Sequence, residues 1–289
     1  MRILRAEHLG MCFGVRDAIT LTRNQAVAGP VTVLGDLVHN ETVLADLRRS
    51  GVQIRQDPAE VSTRQVIITA HGASAGRIAA VESMGFQVTQ ATCPLVHRAH
   101  QALSSLVARG FHPVVIGQRH HVEVRGLTED YPECAVVLSE SDVDRLEFRP
   151  RFGVVSQTTQ PVARVRELVG RLRHHFRTSE VNWIDTVCRP TKDRQAAAEE
   201  LALKSTVVIV IGGAHSNNTR ELASTCRRYC TRVHQIQDPA ELRPEWLASE
   251  DVVGLTAGTS TPDEAIEATH AALLRLAAQL QRQPIEMAA

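Results

Sequence analysis

The sequence predicts an α/β protein made of three similar units, each built on a small, buried parallel sheet. Three observations lead there. Apolar, β-branched runs that end in glycine occur three times, with a polar residue four positions after each glycine. Val31-Thr32-Val33-Leu34-Gly35 leads to His39-Asn40, Val114-Val115-Ile116-Gly117 to His121-Val122-Glu123, and Val207-Val208-Ile209-Val210-Ile211-Gly212 to Ser216-Asn217-Asn218. A second apolar strand follows each of these and delivers small polar residues at its end: Val66 to Gly72, Gly153 to Thr159, and Val252 to Ser260. A cysteine before a helical pattern also appears once per unit, as Cys12, Cys93 and Cys188. Repetition of this kind is the first guide to a fold. Continuous apolar strands alternating with helical patterns mean parallel sheets covered on both faces.

Taken in order, the chain opens on Met1-Arg2-Ile3-Leu4-Arg5-Ala6-Glu7, too poor in apolar residues for a secretory signal. No apolar run reaches the roughly 18 residues a membrane span needs, so a soluble, cytosolic protein is expected. The first unit is expected over 12–93, the second over 94–188, and the third over 189–280 completed by 1–11, with 281–289 as a tail. Helical patterns fall at Glu41 to Ser50, Val96 to Arg109, Val162 to Phe176, Asp193 to Leu203 and Pro262 to Leu280, and Gly51 and Gly110 are natural stops. Ligands of such sheets collect at the carboxyl ends of the strands, where the polar residues stand.

Composition excludes some partners. Hydrophobic residues make up 43% and charged ones 22%, and the 32 basic residues are balanced by 32 acidic ones. Such a chain has no basic field to draw it to nucleic acid or an anionic membrane. Six widely spaced cysteines in a long cytosolic chain point to metal or catalysis before disulfides. Of these, Cys226 and Cys230 read as helix packing beside Leu222 and Ala223.

Cys12, Cys93 and Cys188 admit three readings: zinc completed by a histidine or water, a 4Fe-4S cluster with one iron open, or three structural thiols. Thr92-Cys93-Pro94 and Cys188-Arg189-Pro190 favour a ligand, because proline near a first helical turn aims backbone amides and the helix dipole at the sulfur. His39, His71 and His121, with Ser216, Asn217, Asn218 and Ser260, supply donors at strand ends and helix starts, as a phosphate or diphosphate site requires. If His121-Val122-Glu123 is extended, Glu123 shares a face with His121. A carboxyl group enclosed there would hold a proton to donate, whereas on the surface it would pair with Arg125. Thr158 and Thr159 suit the orienting of a hydroxyl or water. The segment Arg164 to Arg177, with His174-His175, reads as a solvated helix face.

Eight stretches meet a known pattern in order: Gly10-Met11-Cys12-Phe13-Gly14-Val15, Val38-His39-Asn40, Ala70-His71-Gly72, Ala91-Thr92-Cys93-Pro94-Leu95-Val96, His121-Val122-Glu123-Val124, Gln157-Thr158-Thr159, Cys188-Arg189-Pro190-Thr191 with Asp193-Arg194-Gln195, and Ala257-Gly258-Thr259-Ser260-Thr261-Pro262. Together they resemble the 4-hydroxy-3-methylbut-2-enyl diphosphate reductase (LytB) family across almost the whole chain. The resemblance implies a trefoil of three α/β units around a central 4Fe-4S cluster with one open iron site, held by Cys12, Cys93 and Cys188. It implies a diphosphate site on His39, His71, His121, Ser216, Asn217, Asn218 and Ser260, proton delivery by Glu123, and contact of Thr158 with the substrate hydroxyl or water. The implied reaction is the two-electron, two-proton reductive dehydroxylation of an allylic diphosphate to isopentenyl and dimethylallyl diphosphates. Electrons would come from a ferredoxin or flavodoxin, since no glycine fingerprint for a nucleotide is present. The chain departs from the pattern at Gln118 and Val122, where the family has histidine and proline, and at Asn217, usually serine. These departures raise the alternative of a divergent paralogue with another allylic or diphosphate substrate, beside that of a phosphate-ligand binding protein without catalysis.

Overall fold

The computed structural model describes residues 1–282. Strand β1 (Arg2–Arg5) and helix α1 (Phe13–Ala28) come first. Strand β2 (Val31–Leu34), helix α2 (Glu41–Arg49), strands β3 (Gln53–Arg55) and β4 (Gln65–Ile68), helix α3 (Ala75–Ser83), strand β5 (Gln87–Gln90) and helix α4 (Pro94–Ala108) follow. Next are β6 (His112–Ile116), α5 (Val122–Thr128), β7 (Ala135–Val137), α6 (Glu140–Asp144), β8 (Arg151–Ser156), α7 (Val162–His175), β9 (Glu180–Trp183) and α8 (Arg189–Leu203). The last stretch holds β10 (Val207–Ile211), α9 (Asn217–Arg227), β11 (Val233–Ile236), β12 (Val252–Ala257) and α10 (Asp263–Arg282). The first two residues of the expected tail thus end α10, and the rest of it lies outside the described residues.

The class is the expected one: α/β, with three small parallel sheets. Their strand orders are β3-β2-β4-β5, β7-β6-β8-β9 and β11-β10-β12-β1. All three follow one scheme, in which the first and third strands pair at the centre, the second flanks the first and the fourth flanks the third. In the last sheet the fourth strand is β1, from the other end of the sequence, with Ile3 opposite Val253. The order reverses between the central strands, Val33 opposite Ile67, Val115 opposite Val155 and Ile209 opposite Leu255. In open α/β sheets, a crevice forms beyond the carboxyl ends at that reversal.

The chain forms two compact units. Among the described residues, one comprises Met1–Cys12, His39–Glu41 and 192–282, and the other comprises Phe13–Val38 and Thr42–Thr191. Physical reasons for the elements are local. Every residue of β2 and β10 is buried, as strands covered on both faces must be. Helix α4 buries Val96, Ala99, Ala102, Leu103 and Leu106, one stripe at helical spacing. Helix α7 likewise buries Val165, Leu168, Val169 and Leu172, while Arg166, Arg173, His174 and His175 are exposed on its solvated face. Ser74, Ser139 and Ser216 cap α3, α6 and α9, and Gly51 and Gly110, at φ of 86° and 80°, end α2 and α4 in a conformation that side chains disfavour. Cys226 lies on α9 and Cys230 in the turn after it, both in the core of their unit, as packing residues should. Among the described residues no helix is long and apolar enough to cross a membrane.

Candidate functional site

One local construction occurs at all three cysteines. The backbone N–H of Cys93 donates to the carbonyl of Ala70 at 3.0 Å, that of Cys188 to Thr158 at 3.0 Å, and that of Cys12 to Thr259 at 3.2 Å. Each acceptor is the second residue of a turn after a central strand, closed by Gly72 N–H to Thr69 O, Gln160 N–H to Gln157 O and Thr261 N–H to Gly258 O. Each cysteine also stands immediately before a helix of 15 or 16 residues. A helix start carries partial positive charge, which favours the thiolate. All three are partly exposed, as is Cys134, while Cys226 is buried; desolvation pushes the Cys134 and Cys226 thiols up to about 12.

Two details describe the surroundings of these sulfurs. The Cys188 thiol donates to Thr191 Oγ1 at 3.1 Å, inside the first turn of α8. A Cβ at Gly14 would lie 2.4 Å from Cys93 Sγ, so only glycine leaves that sulfur its room. Among the described residues no three His, Cys, Asp or Glu side chains are gathered into a closed metal site. Gly14→Ala is expected to force Cys93 aside at a cost of about 1–3 kcal/mol, the usual range for overpacking. Thermal melting of the metal-free chain checks this, and an unchanged midpoint would mean that the sulfur yields without strain.

In the unit that holds α5, the expected extended geometry at His121 and Glu123 is not what forms. His121 is the N-cap of α5, its Nδ1 accepting the Glu123 N–H at 3.1 Å, and Glu123 lies in the first helical turn. A capping residue and the residue two later are not strand neighbours sharing one face, so the period-two argument does not apply. The cap does fix the ring: with Nδ1 accepting, a neutral His121 carries its proton on Nε2. Val122 is the first helical residue, a position that proline preorganises but valine fills without losing a hydrogen bond. The His71 and His121 rings meet edge to face, with centroids 5.6 Å apart.

Glu123 is only 2% exposed and makes no surface pair with Arg125. Its Oε1 accepts the Thr158 N–H at 2.6 Å. Burial raises its pKa from 4.5 to about 7, against the opposing pull of the Thr158 hydrogen bonds. The Thr158 carbonyl in turn receives the Cys188 N–H, so Glu123, Thr158 and Cys188 form one chain of hydrogen bonds. Sequence reasoning missed what holds this turn. Gln157 is fully buried, its Oε1 accepting from Gln118 N–H at 3.1 Å and Gln160 Nε2 at 3.0 Å, while its Nε2 donates to Thr159 Oγ1 at 3.3 Å. The contact made by Gln118 here uses its backbone, so a change of side chain at 118 leaves it intact.

The other unit brings a second group of expected residues together. Ser216 caps α9 by accepting the Thr219 N–H at 3.3 Å, and buried Asn217 and Asn218 open the helix. Asn218 Oδ1 accepts the Thr259 N–H at 2.9 Å, which turns its NH2 into the face available for an acceptor. Ser260 Oγ donates to the His39 carbonyl at 3.2 Å, and a Cβ on Gly213 would come within 2.6 Å of the same oxygen. A helix start with an oriented amide beside it is an anion-binding arrangement.

Comparison with known proteins gives one answer. The family described as LytB protein matches residues 3–274. The 4-hydroxy-3-methylbut-2-enyl diphosphate reductase of Anaeromyxobacter sp. (strain Fw109-5) is 36% identical over 272 residues, covering 92% of this chain and 95% of its own. That of Aquifex aeolicus (strain VF5) is 35% identical over 271 residues, covering 92% and 93%. A solved structure of (E)-4-hydroxy-3-methyl-but-2-enyl diphosphate reductase, the terminal enzyme of the non-mevalonate pathway, is 33% identical with a TM-score of 0.69, covering 95% of this chain and 100% of that one. The E-1-hydroxy-2-methyl-but-2-enyl-4-diphosphate reductase of Plasmodium falciparum superposes with a TM-score of 0.87 at 24% identity, covering 98% and 89%, a likeness of fold.

Proposed function

This chain belongs to the LytB protein family, and we propose that it reduces (E)-4-hydroxy-3-methylbut-2-enyl diphosphate to isopentenyl and dimethylallyl diphosphates, the last step of the methylerythritol phosphate route to isoprenoids. The observation that carries the reading is the threefold cysteine construction: the same turn, the same N–H anchor and the same helix start at Cys12, Cys93 and Cys188. We assign those three as the ligands of a 4Fe-4S cluster with one open iron site, a donor set that suits thiolates at helix starts. When bound, such a cluster supplies single electrons and a Lewis-acidic iron.

The chain's own residues are assigned the rest. His39, His71, His121, Ser216, Asn217, Asn218 and Ser260 are the proposed diphosphate contacts, chosen for their donors at strand ends and helix starts. Anchoring the charged end would hold the allylic end in position. Glu123 is the proposed proton donor to the departing oxygen and Thr158 the residue that positions that oxygen, since the pair is buried and directly hydrogen-bonded. The balance is two electrons and two protons taken up, the allylic C–O bond broken and one water released. A ferredoxin or flavodoxin is the proposed electron donor. The repeat boundaries 12–93, 94–188 and 189–280 with 1–11 remain the proposed division, supported by the shared strand order.

A pH profile tests the proton donor. A carboxyl with a raised pKa donates while protonated, so kcat/KM should fall about tenfold per unit above roughly pH 7, and Glu123→Gln should lack that limb. The linkage has the same sign: between 4.5 and about 7 the folded chain holds a proton that the unfolded chain has lost. Stability therefore falls as pH rises through that window, by about 3 kcal/mol in total at 1.36 kcal/mol per unit. Activity undiminished up to about pH 9 would remove Glu123 from the role.

A further inference from the structure

The three cysteines share one anchor, but they reach it differently. Before Cys93, Ala91 N–H donates to Ile68 O and Cys93 N–H to Ala70 O, two residues against two. Before Cys188, Ile184 N–H donates to Val154 O and Cys188 N–H to Thr158 O, again equal steps. Before Cys12 the step is unequal. Ala6 N–H donates to Leu255 O and Gly10 N–H to Ala257 O, so Glu7, His8 and Leu9 stand opposite Thr256 alone. The backbone leaves the ladder there and rejoins it at Gly10, whose φ is 75°. An insertion of this kind breaks the pairing over Glu7 to Leu9, and from Gly10 the steps are equal again, Gly10 N–H to Ala257 O and Cys12 N–H to Thr259 O.

At the rejoining point stands Arg194 of α8. Its Nε and Nη2 both donate to the Gly10 carbonyl, at 3.1 and 2.5 Å, and the side chain is only 7% exposed. A buried guanidinium is tolerated only where its donors are engaged, and a planar fork on one carbonyl oxygen fixes that oxygen in direction as well as distance. Gly10 is two residues from Cys12. Within the described residues, no such cation is recorded on the carbonyl two residues before Cys93 or Cys188, where the register is unbroken.

We propose that Arg194 is the positioning residue for Cys12: by gripping the Gly10 carbonyl, it holds the point at which the backbone rejoins the strand after the insertion and so sets the cysteine's backbone in place. The inference rests on the reading of Cys12 as a cluster ligand. Its effect is specific to one of three otherwise equivalent cysteines, which a merely structural residue would not show.

The test is residue-resolved alkylation of the metal-free full-length chain with iodoacetamide, followed by peptide mass spectrometry, for the natural sequence, Arg194→Lys and Arg194→Gln. Losing a charged hydrogen bond to a backbone group should open the segment about tenfold more often, so Cys12 of Arg194→Gln should react about tenfold faster, with Cys93 and Cys188 within about twofold of the natural chain. Arg194→Lys, which keeps the charge but not the fork, should fall between. After anaerobic reconstitution, iron should also be lost to a chelator faster from Arg194→Gln. A Cys12 rate within about twofold of the natural chain, or an equal rise at all three cysteines, overturns the proposal. If instead the natural chain takes up no iron while the Cys12 contrast persists, the cluster reading fails and the positioning role stands.

Discussion

Glu123→Gln is expected to lower anaerobic turnover about a thousandfold, the middle of the range for removing a general acid, while iron content and diphosphate affinity stay unchanged. The amide is nearly isosteric and can still accept the Thr158 N–H through its oxygen, so the 2.6 Å contact that ties α5 to the turn after β8 is preserved. What disappears is the proton. The natural carboxyl holds one near neutrality because burial disfavours its charge, and among the described residues no other acid is placed on the Thr158 backbone. Single-turnover kinetics on reconstituted protein would measure the loss. Turnover within about threefold of the natural chain would show that the proton comes from elsewhere.

Cys93→Ser is expected to abolish turnover and to leave less than about a tenth of the iron after reconstitution, because a serine hydroxyl at a helix start does not ionise as a thiol does. The control is built into the chain. Cys226→Ser replaces a thiol buried in a unit core whose pKa is pushed up to about 12, and should keep its iron while losing about 1–3 kcal/mol of stability for the buried hydroxyl. Iron analysis and melting curves on both variants separate a ligand from a packing residue. Full iron in Cys93→Ser would contradict the assignment.

The sheets were legible because their central strands are uninterrupted β-branched runs, and because the glycine-to-polar offset of four repeats at His39, His121 and Ser216. One strand order is shared by the three sheets, with β1 completing the last, as the expected class of repeated α/β sheets requires. Less was readable at the site. His121 to Glu123 invites an extended reading, since a seven-residue helix is too short to show a period, and the histidine's capping role depends on where the strand before it ends. Gln157 resembles any polar residue at a strand end, yet it is fully buried because three groups of its own turn and the facing turn satisfy it. Gly14 and Arg194 appear in sequence only as letters of a motif. Their reasons, the Cys93 sulfur and the Gly10 carbonyl, are 79 and 184 positions away and exist only once the chain has folded.

The most direct measurement is anaerobic incubation of the reconstituted, iron-loaded chain with (E)-4-hydroxy-3-methylbut-2-enyl diphosphate and dithionite-reduced methyl viologen, with products followed by mass spectrometry. The account predicts oxidation of two equivalents of the one-electron reductant per substrate consumed and the appearance of both isopentenyl and dimethylallyl diphosphates. Protein that carries its full complement of iron and binds the substrate, but neither oxidises the reductant nor forms either product, would contradict it.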